Sequence, residues 1–283
     1  MRLWVMSDLH IELTRGWDLP SGDARPQFDV MIVAGDLMPR AERGVKWLLE
    51  RVPDRHVIYV MGNHEAYGED IDRTLEKAKE IAAGTNVHVL ENESVRIGDV
   101  TFAGCTLWTD FALFGDERRE MAIAAERMND FRKIRTARYA ERFRPAHALA
   151  RHRRSRTFLE AEFRKDRPGP VVIVTHHACR RPELRLSDPP APDELLSAAY
   201  YSDLTNLMVP APDDGRGALR PADLWIHGHT HSSFDAVIGG APDAVLGGTG
   251  TRVLSNPKGY GPWPPREPSW ENQDFNEKLI IEI

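Results

Sequence analysis

Cysteine is scarce in this chain: of 283 residues only Cys105 and Cys179 carry thiols, and neither belongs to a CxxC pair. That excludes a disulfide framework and a thiolate zinc site, so any metal must be held by histidine and carboxylate. No apolar run approaches the roughly eighteen residues of a membrane-spanning helix. The opening "MRLWVMSDLH" has one Arg and an apolar run too short for a signal peptide. The expectation is a soluble, cytoplasmic protein with no membrane partner. Positive charge is in deficit too, with a net charge of -6 and a pI of about 6.0. Such a molecule as a whole repels nucleic acid, and a small substrate suits it better.

One segment departs from that balance. Residues 115–167 hold fourteen Arg and two Lys against nine acidic residues, a surplus of +7 that leaves -13 for the remainder. Its densest part is "RHRRSR", 151–156. Two readings are open: a solvated helical face, or a basic cap that draws phosphate toward a crevice.

What the chain has in quantity is the short apolar run ending in a polar cluster: "LWVM" before "SDLH", "VMIVA" before "GDLMP", "HVIYV" before "MGNHE", "VVIVT" before "HHAC" and "DLWI" before "HGHTH". Runs of this length and composition suit strands covered on both faces, and helical stretches between them point to a layered α/β architecture. "DIDRTLEKAKEIAAG" predicts a helix with Ile71, Leu75, Ala78 and Ala82 on one face and Gly84 as its stop. A second helical region is expected over roughly 116–165. "VRIGDVTFAGC" predicts a hairpin turning at "GD", "KLIIEI" a closing strand, and the proline-rich 185–222 loop with short helical pieces.

The polar clusters then fall at strand C-termini, the edge where open α/β sheets build binding crevices. They contain Asp8, His10, Asp36, Asn63, His64, His176, His229 and His231. Asp8 with His10, and His229 with His231, are two apart, so in extended or tightly turned chain each pair projects to one side. Either pair alone is weak evidence, since polar residues at strand ends more often form turns. Five such clusters are hard to explain as unrelated turns.

In order, "SDLH", "GD", "GNHE", "THH" and "GHTH" resemble the five signature blocks of the calcineurin-like metallophosphoesterase superfamily, spread over some 225 residues. The resemblance implies an α/β fold, a four-layer αββα sandwich of two mixed sheets flanked by helices. One domain over 1–283 is expected, with a helical basic insertion or cap at about 105–170. It also implies two divalent transition-metal ions: Asp8, His10 and His231 on one, Asn63, His176 and His229 on the other, and Asp36 bridging both. Imidazole mixed with carboxylate and amide suits Mn, Fe, Zn, Co or Ni better than Mg or Ca. Two cations roughly 3.5 to 4 Å apart can activate a hydroxide for in-line attack on a phosphoryl group. The implied activity is hydrolysis of small phosphodiesters or phosphomonoesters. His64, not needed as a ligand, would stabilise charge or protonate the leaving oxygen.

The chain also departs from that family. Its second block reads "GDLMP", with Pro39 where many members carry Asp, Asn or Tyr. A purple ferric centre is therefore not expected, and His64 lacks its usual acidic partner. His177, Arg252, Tyr67 and Asn129 are candidate substrate contacts, with Trp108, Asp130, Tyr201 and Asp203 as further pocket candidates. Each has a plainer alternative: aromatic packing, a helix cap at Asn129–Asp130, an ion pair at Arg252. His227 falls outside the motif and reads more readily as a packed histidine. Two other functions stay in view: a nuclease of the same superfamily, argued against by the overall charge, and a non-catalytic scaffold, argued against by the intact ligand set.

Overall fold

In the computed structural model of the protein, residues 1–181, 187, 190–239, 250–263 and 269–283 are described. Their strands are Arg2–Met6 (β1), Val30–Ala34 (β2), His56–Val60 (β3), Val87–Val89 (β4), Glu93–Ile97 (β5), Val100–Cys105 (β6), Arg135–Thr136 (β7), Glu141–Arg142 (β8), Val171–Thr175 (β9), Leu224–His227 (β10), Phe234–Ile238 (β11), Thr251–Ser255 (β12) and Ile280–Glu282 (β13). The helices are Ala41–Arg51 (α1), Ile71–Ala82 (α2), Glu117–Arg127 (α3), Asp130–Lys133 (α4), Pro145–Phe163 (α5) and Pro192–Leu195 (α6). One sheet runs β13-β1-β2-β3-β4 and a second runs β11-β12-β10-β9-β6-β5. Both are mixed: their central pairs are parallel, and β13, β11 and β5 add antiparallel edges.

Strand alternation makes the layers. Leu3, Val5, Val30, Ile32, Ile58 and Val60 turn toward the second sheet and meet Phe102, Val172, Val174, Leu224 and Ile226. Their neighbours Trp4, Met31, Val33 and Tyr59 turn the other way, against Val45 and Leu48 of α1 and Ala78 of α2. On the far side, Leu159 and Phe163 of α5 cover Ala103, Ile173, Trp225 and Val253. Period two in each strand therefore fills both faces, which gives the four-layer αββα sandwich. Each fully buried aliphatic side chain contributes about 1.5–3 kcal/mol to holding the layers together.

The hairpin at Gly98–Asp99, the strand at Ile280–Glu282 and the helix over 71–82 form where the sequence predicts them. Asp70 caps α2 by accepting from Asp72 N at 3.1 Å and Arg73 N at 3.0 Å. The region 116–165 differs, because a two-stranded hairpin, β7–β8, interrupts the helices. Its turn residues Ala137, Arg138 and Tyr139 all take left-handed φ. Asp70 Oδ2 accepts from Tyr139 N at 2.9 Å, and Glu69 O accepts from Arg135 N at 2.9 Å. These tertiary bonds outweigh helix propensity there. Within 185–222 there are only short helical pieces, α6 and two 3₁₀ turns; residues 185, 186, 188 and 189 lie outside the described residues. Among the described residues no helix is long and apolar enough to cross a membrane.

Candidate active site

The C-terminal ends of β1, β2 and β3 meet those of β9 and β10 above the layer between the sheets. Backbone bonds join these ends, Asp8 N to Gly35 O at 2.9 Å and Gly228 N to His176 O at 3.0 Å, and tie β1 to the end of β12, Ser7 N to Asn256 O at 3.2 Å. Five of the residues presented here sit in left-handed backbone: Asp8 at φ 51, His10 at 43, Asp36 at 53, His229 at 68 and His231 at 49. That conformation is uncommon for residues with a Cβ and clusters at functional sites. Two glycines make room for the turns. A Cβ on Gly228 would lie 2.5 Å from Asp8 Oδ2, and one on Gly62 would overlap Asp36 Oδ1.

The eight motif residues converge. His10 Nε2 lies 3.1 Å from His231 Nε2. His176 Nε2 lies 3.0 Å from Asn63 Oδ1 and 3.1 Å from His229 Nδ1. Asp36 stands between the two groups, 3.7 Å from His10 Nε2 and 3.4 Å from His176 Nε2. Among the described residues, donor atoms fall within 4.8 Å of one another in three sets: Asp8, His10 and His231; His10, Asp36 and His64; and Asp36, His176 and His229.

Neighbouring groups fix which atom each residue presents. His176 Nδ1 faces Ala34 O at 2.9 Å, and His231 Nδ1 faces Glu271 Oε2 at 2.7 Å, so both turn Nε2 inward. Asn63 donates its Nδ2 to Asp130 at 2.8 Å, which leaves Oδ1 aimed at the cluster. Asp8 accepts from His229 N at 2.9 Å, and Asp36 from His64 N at 2.9 Å. Such outer partners orient metal ligands and set their tautomers. Below them the Glu65 carboxylate accepts from Asp36 N, Leu37 N, Gly62 N and Tyr59 Oη at 2.7–3.1 Å, tying two of the loops together. Burial, reinforced by nearby Asp36, pushes Glu65 up to about 7.

Electrostatics at the cluster are those of a cation site. Burial works to raise the Asp36 carboxyl, but the imidazoles of His176, His64 and His10 hold it well below the usual range. Burial also works against charge on His176 and His231, yet Asp36 raises the first to about 9, and Asp8 with Glu271 raises the second to about 10. Buried His229, beside His177 and His176, is pushed well down and stays neutral. Convergent imidazole nitrogens with carboxylate and amide oxygens fit divalent transition metal, whose uptake has to displace the protons on His176 and His231.

His64 finds the partner that position 39 does not supply. Its Nδ1 lies 3.4 Å from Glu12 Oε1, which is also 3.6 Å from His10 Nδ1. Its ring stacks on Tyr67 at 4.2 Å. Burial alone would lower the His64 imidazolium, but Asp36 and Glu12 raise it above its ordinary value.

A cleft of about 300 Å³ opens over the cluster, with Tyr67 and Asn129 in its wall. Two other candidate substrate contacts lie elsewhere. Arg252 makes a two-bond ion pair with Asp235 across β12 and β11, at 2.8 and 2.7 Å, because cross-strand neighbours satisfy its guanidinium. His177 is buried behind His229, with ring centroids 4.1 Å apart and Nδ1 on Thr106 O at 3.2 Å; burial beside His176 lowers it to about 3. Trp108 packs between Phe143 and His177, Asp203 accepts within its own turn, and buried His227 faces Gly228 O. Tyr200, not Tyr201, lines the cleft, stacked on His229 at 4.8 Å. Asp130, a pocket candidate from the sequence, instead orients Asn63, and Glu12, Tyr200, Tyr260 and Glu271 are the contributors that sequence reasoning does not assign. Only Glu12 carried a signal, following His10 at the spacing that separates His10 from Asp8.

The family model of calcineurin-like phosphoesterases matches residues 1–233. The chain belongs to that family and is a metal-dependent phosphoester hydrolase. It is similar to uncharacterized protein L509 of Acanthamoeba polyphaga mimivirus, 23% identical over 99% of this chain and 96% of that one. Among solved structures, the crystal structure of a phosphopantetheinyl hydrolase from Mycobacterium tuberculosis shares the fold. Its TM-score is 0.60 at 23% identity, covering 94% of this chain and 90% of that one.

Proposed function

We propose that the chain hydrolyses small phosphodiesters using two divalent cations that share Asp36. Asp8, His10 and His231 would hold one cation, and Asn63, His176 and His229 the other. The observation that carries this reading is the pair of facing nitrogen contacts, His10 to His231 and His176 to His229, each at 3.1 Å on either side of Asp36. When bound, the cations supply charge stabilisation to the phosphoryl oxygens. Asn63 and Asp36 keep their inward oxygens through bonds to Asp130 and His64 N. His64 lines the cleft, with Nδ1 toward Glu12 and Nε2 4.0 Å from Asp36 Oδ2, and would give its proton to the leaving oxygen, a role worth roughly 10²- to 10⁴-fold in rate.

Charge favours the diester. Asp8, Glu12, Asp36 and Glu271 surround the cluster, and together they offset the charge of two divalent cations. Among the described residues Arg127 is the one Lys or Arg in the cleft wall, and Asp193 pairs with it at 3.0 Å. A monoanionic diester suits this balance better than a dianionic monoester. The test compares rates on bis(p-nitrophenyl) phosphate, p-nitrophenyl phosphate, a cyclic nucleotide and single-stranded DNA after loading with Mn. The aryl diester should turn over faster than the monoester. Fastest cleavage of DNA would point to a nuclease, and metal uptake without turnover in any arm would point to a scaffold.

A further inference from the structure

Residues 234–283 lie beyond the family match, yet a segment of them closes one side of the cluster. Asn256 Nδ2 bonds Val5 O at 2.8 Å. Lys258 N bonds Ser7 O and Gly259 N bonds Asp8 O, both at 3.0 Å, so the chain from 256 to 261 runs as a strap along the end of β1. The strap lays the Tyr260 ring over the candidate ligands, 4.6 Å from the His10 ring and 4.7 Å from that of His231. Tyr260 lines the cleft, and its backbone N donates to Glu271, the carboxylate that orients His231. No described residue hydrogen-bonds its hydroxyl. Tyr67, across the cleft, is different: its hydroxyl is committed to Asp130 at 2.7 Å.

Two residues back, Lys258 is 0% exposed. Its ammonium donates to Thr14 Oγ1 at 2.9 Å, Gly259 O at 2.8 Å and Gly261 O at 2.6 Å. Thr14 Oγ1 in turn donates to His10 O at 2.9 Å. One ammonium proton thereby fastens the strap to the loop that carries Asp8, His10 and Glu12, and the other two hold the strap's own carbonyls in a tight turn. A buried ammonium is costly unless fully paired, and this one is paired only while strap and loop stay in register.

We propose that Tyr260 is a substrate contact, its hydroxyl donating a hydrogen bond to a non-bridging oxygen of the phosphate ester, and that Lys258 is the positioning residue that holds it there. The proposal rests on the phosphoesterase reading above and extends the substrate site to a segment outside the family's matched region. A neutral donor in this place suits a phosphodiester, whose two non-bridging oxygens share one negative charge.

The experiment uses the full chain loaded with Mn, the diester bis(p-nitrophenyl) phosphate as substrate and inorganic phosphate as a binding probe read by calorimetry. Tyr260→Phe removes one oxygen and keeps the ring. It should lower kcat/KM and weaken phosphate binding by about tenfold each, the scale of one hydrogen bond to a charged group, with metal content and melting temperature unchanged. Lys258→Met should give a similar loss, and adding Tyr260→Phe to it should cost little more, because the two act as a unit. If Lys258→Met fails to fold, Tyr260→Phe decides alone. A Tyr260→Phe protein equal to an active wild type in both kcat/KM and phosphate affinity overturns this proposal and leaves the phosphoesterase reading intact. A wild type that binds metal but turns over no phosphate ester overturns that reading, while the phosphate calorimetry still decides Tyr260.

Discussion

At the scale of single residues, the site is built from backbone that is expensive to hold. Asp8, His10, Asp36, His229 and His231 all occupy left-handed φ, and the hydrogen bonds to Glu65 and between the strand ends keep them there. The ligand-type residues were legible because strand ends expose them in fixed order and at short spacing. Their partners were not, because contacts such as Asn63 to Asp130 and His231 to Glu271 exist only after distant loops have folded. His64 is the clearest instance. Proline at position 39 left its orienting group unnamed, and the fold supplies Glu12 from another loop at 3.4 Å. Glu12→Gln keeps the shape and removes the charge. Steady-state assay of this variant should show kcat lower by about 10- to 100-fold, the range seen when an orienting partner is lost. Metal content by mass spectrometry should stay close to wild type, and a parallel fall in both would assign Glu12 to metal retention instead.

At the scale of elements, Asp70 joins two that are distant in sequence. It caps α2 through Asp72 N and Arg73 N and also accepts from Tyr139 N in the β7–β8 hairpin. Asp70→Ala should therefore cost about 1–3.5 kcal/mol, a lost cap of roughly 0.5–2 together with one part-buried hydrogen bond of roughly 0.5–1.5. Urea unfolding reads this as a lower midpoint at unchanged slope. An unchanged midpoint would show that water replaces the carboxylate at no cost. The elements that sequence patterning revealed, the five buried strands and α2, are those whose periodicity is local. The β7–β8 hairpin escaped because its sequence is rich in Arg and Ala, and what folds it is Glu69 and Asp70 from outside.

At the scale of the molecule, two sheets pack face to face so that loops from both reach one point. Neither sheet alone holds the proposed ligand set: Asp8, Asp36 and Asn63 follow strands of the first, His176 and His229 strands of the second. The charge pattern is also a property of the whole. Arginines of the basic segment pair with Asp72, Glu117, Glu160 and Asp214 outside the cleft wall, consistent with a solvated face more than with a phosphate-drawing cap. Composition alone could not separate those two, since the choice depends on which acids the fold brings alongside.

The proposed sharing of Asp36 by two cations is tested most directly by anomalous diffraction from crystals of the Mn-loaded protein, beside the same measurement on Asp36→Asn. Wild type should show two peaks roughly 3.5 to 4 Å apart flanking the Asp36 carboxylate, with at least one of them weakened or gone in the variant. A single peak in wild type, or two peaks untouched by the substitution, would contradict it.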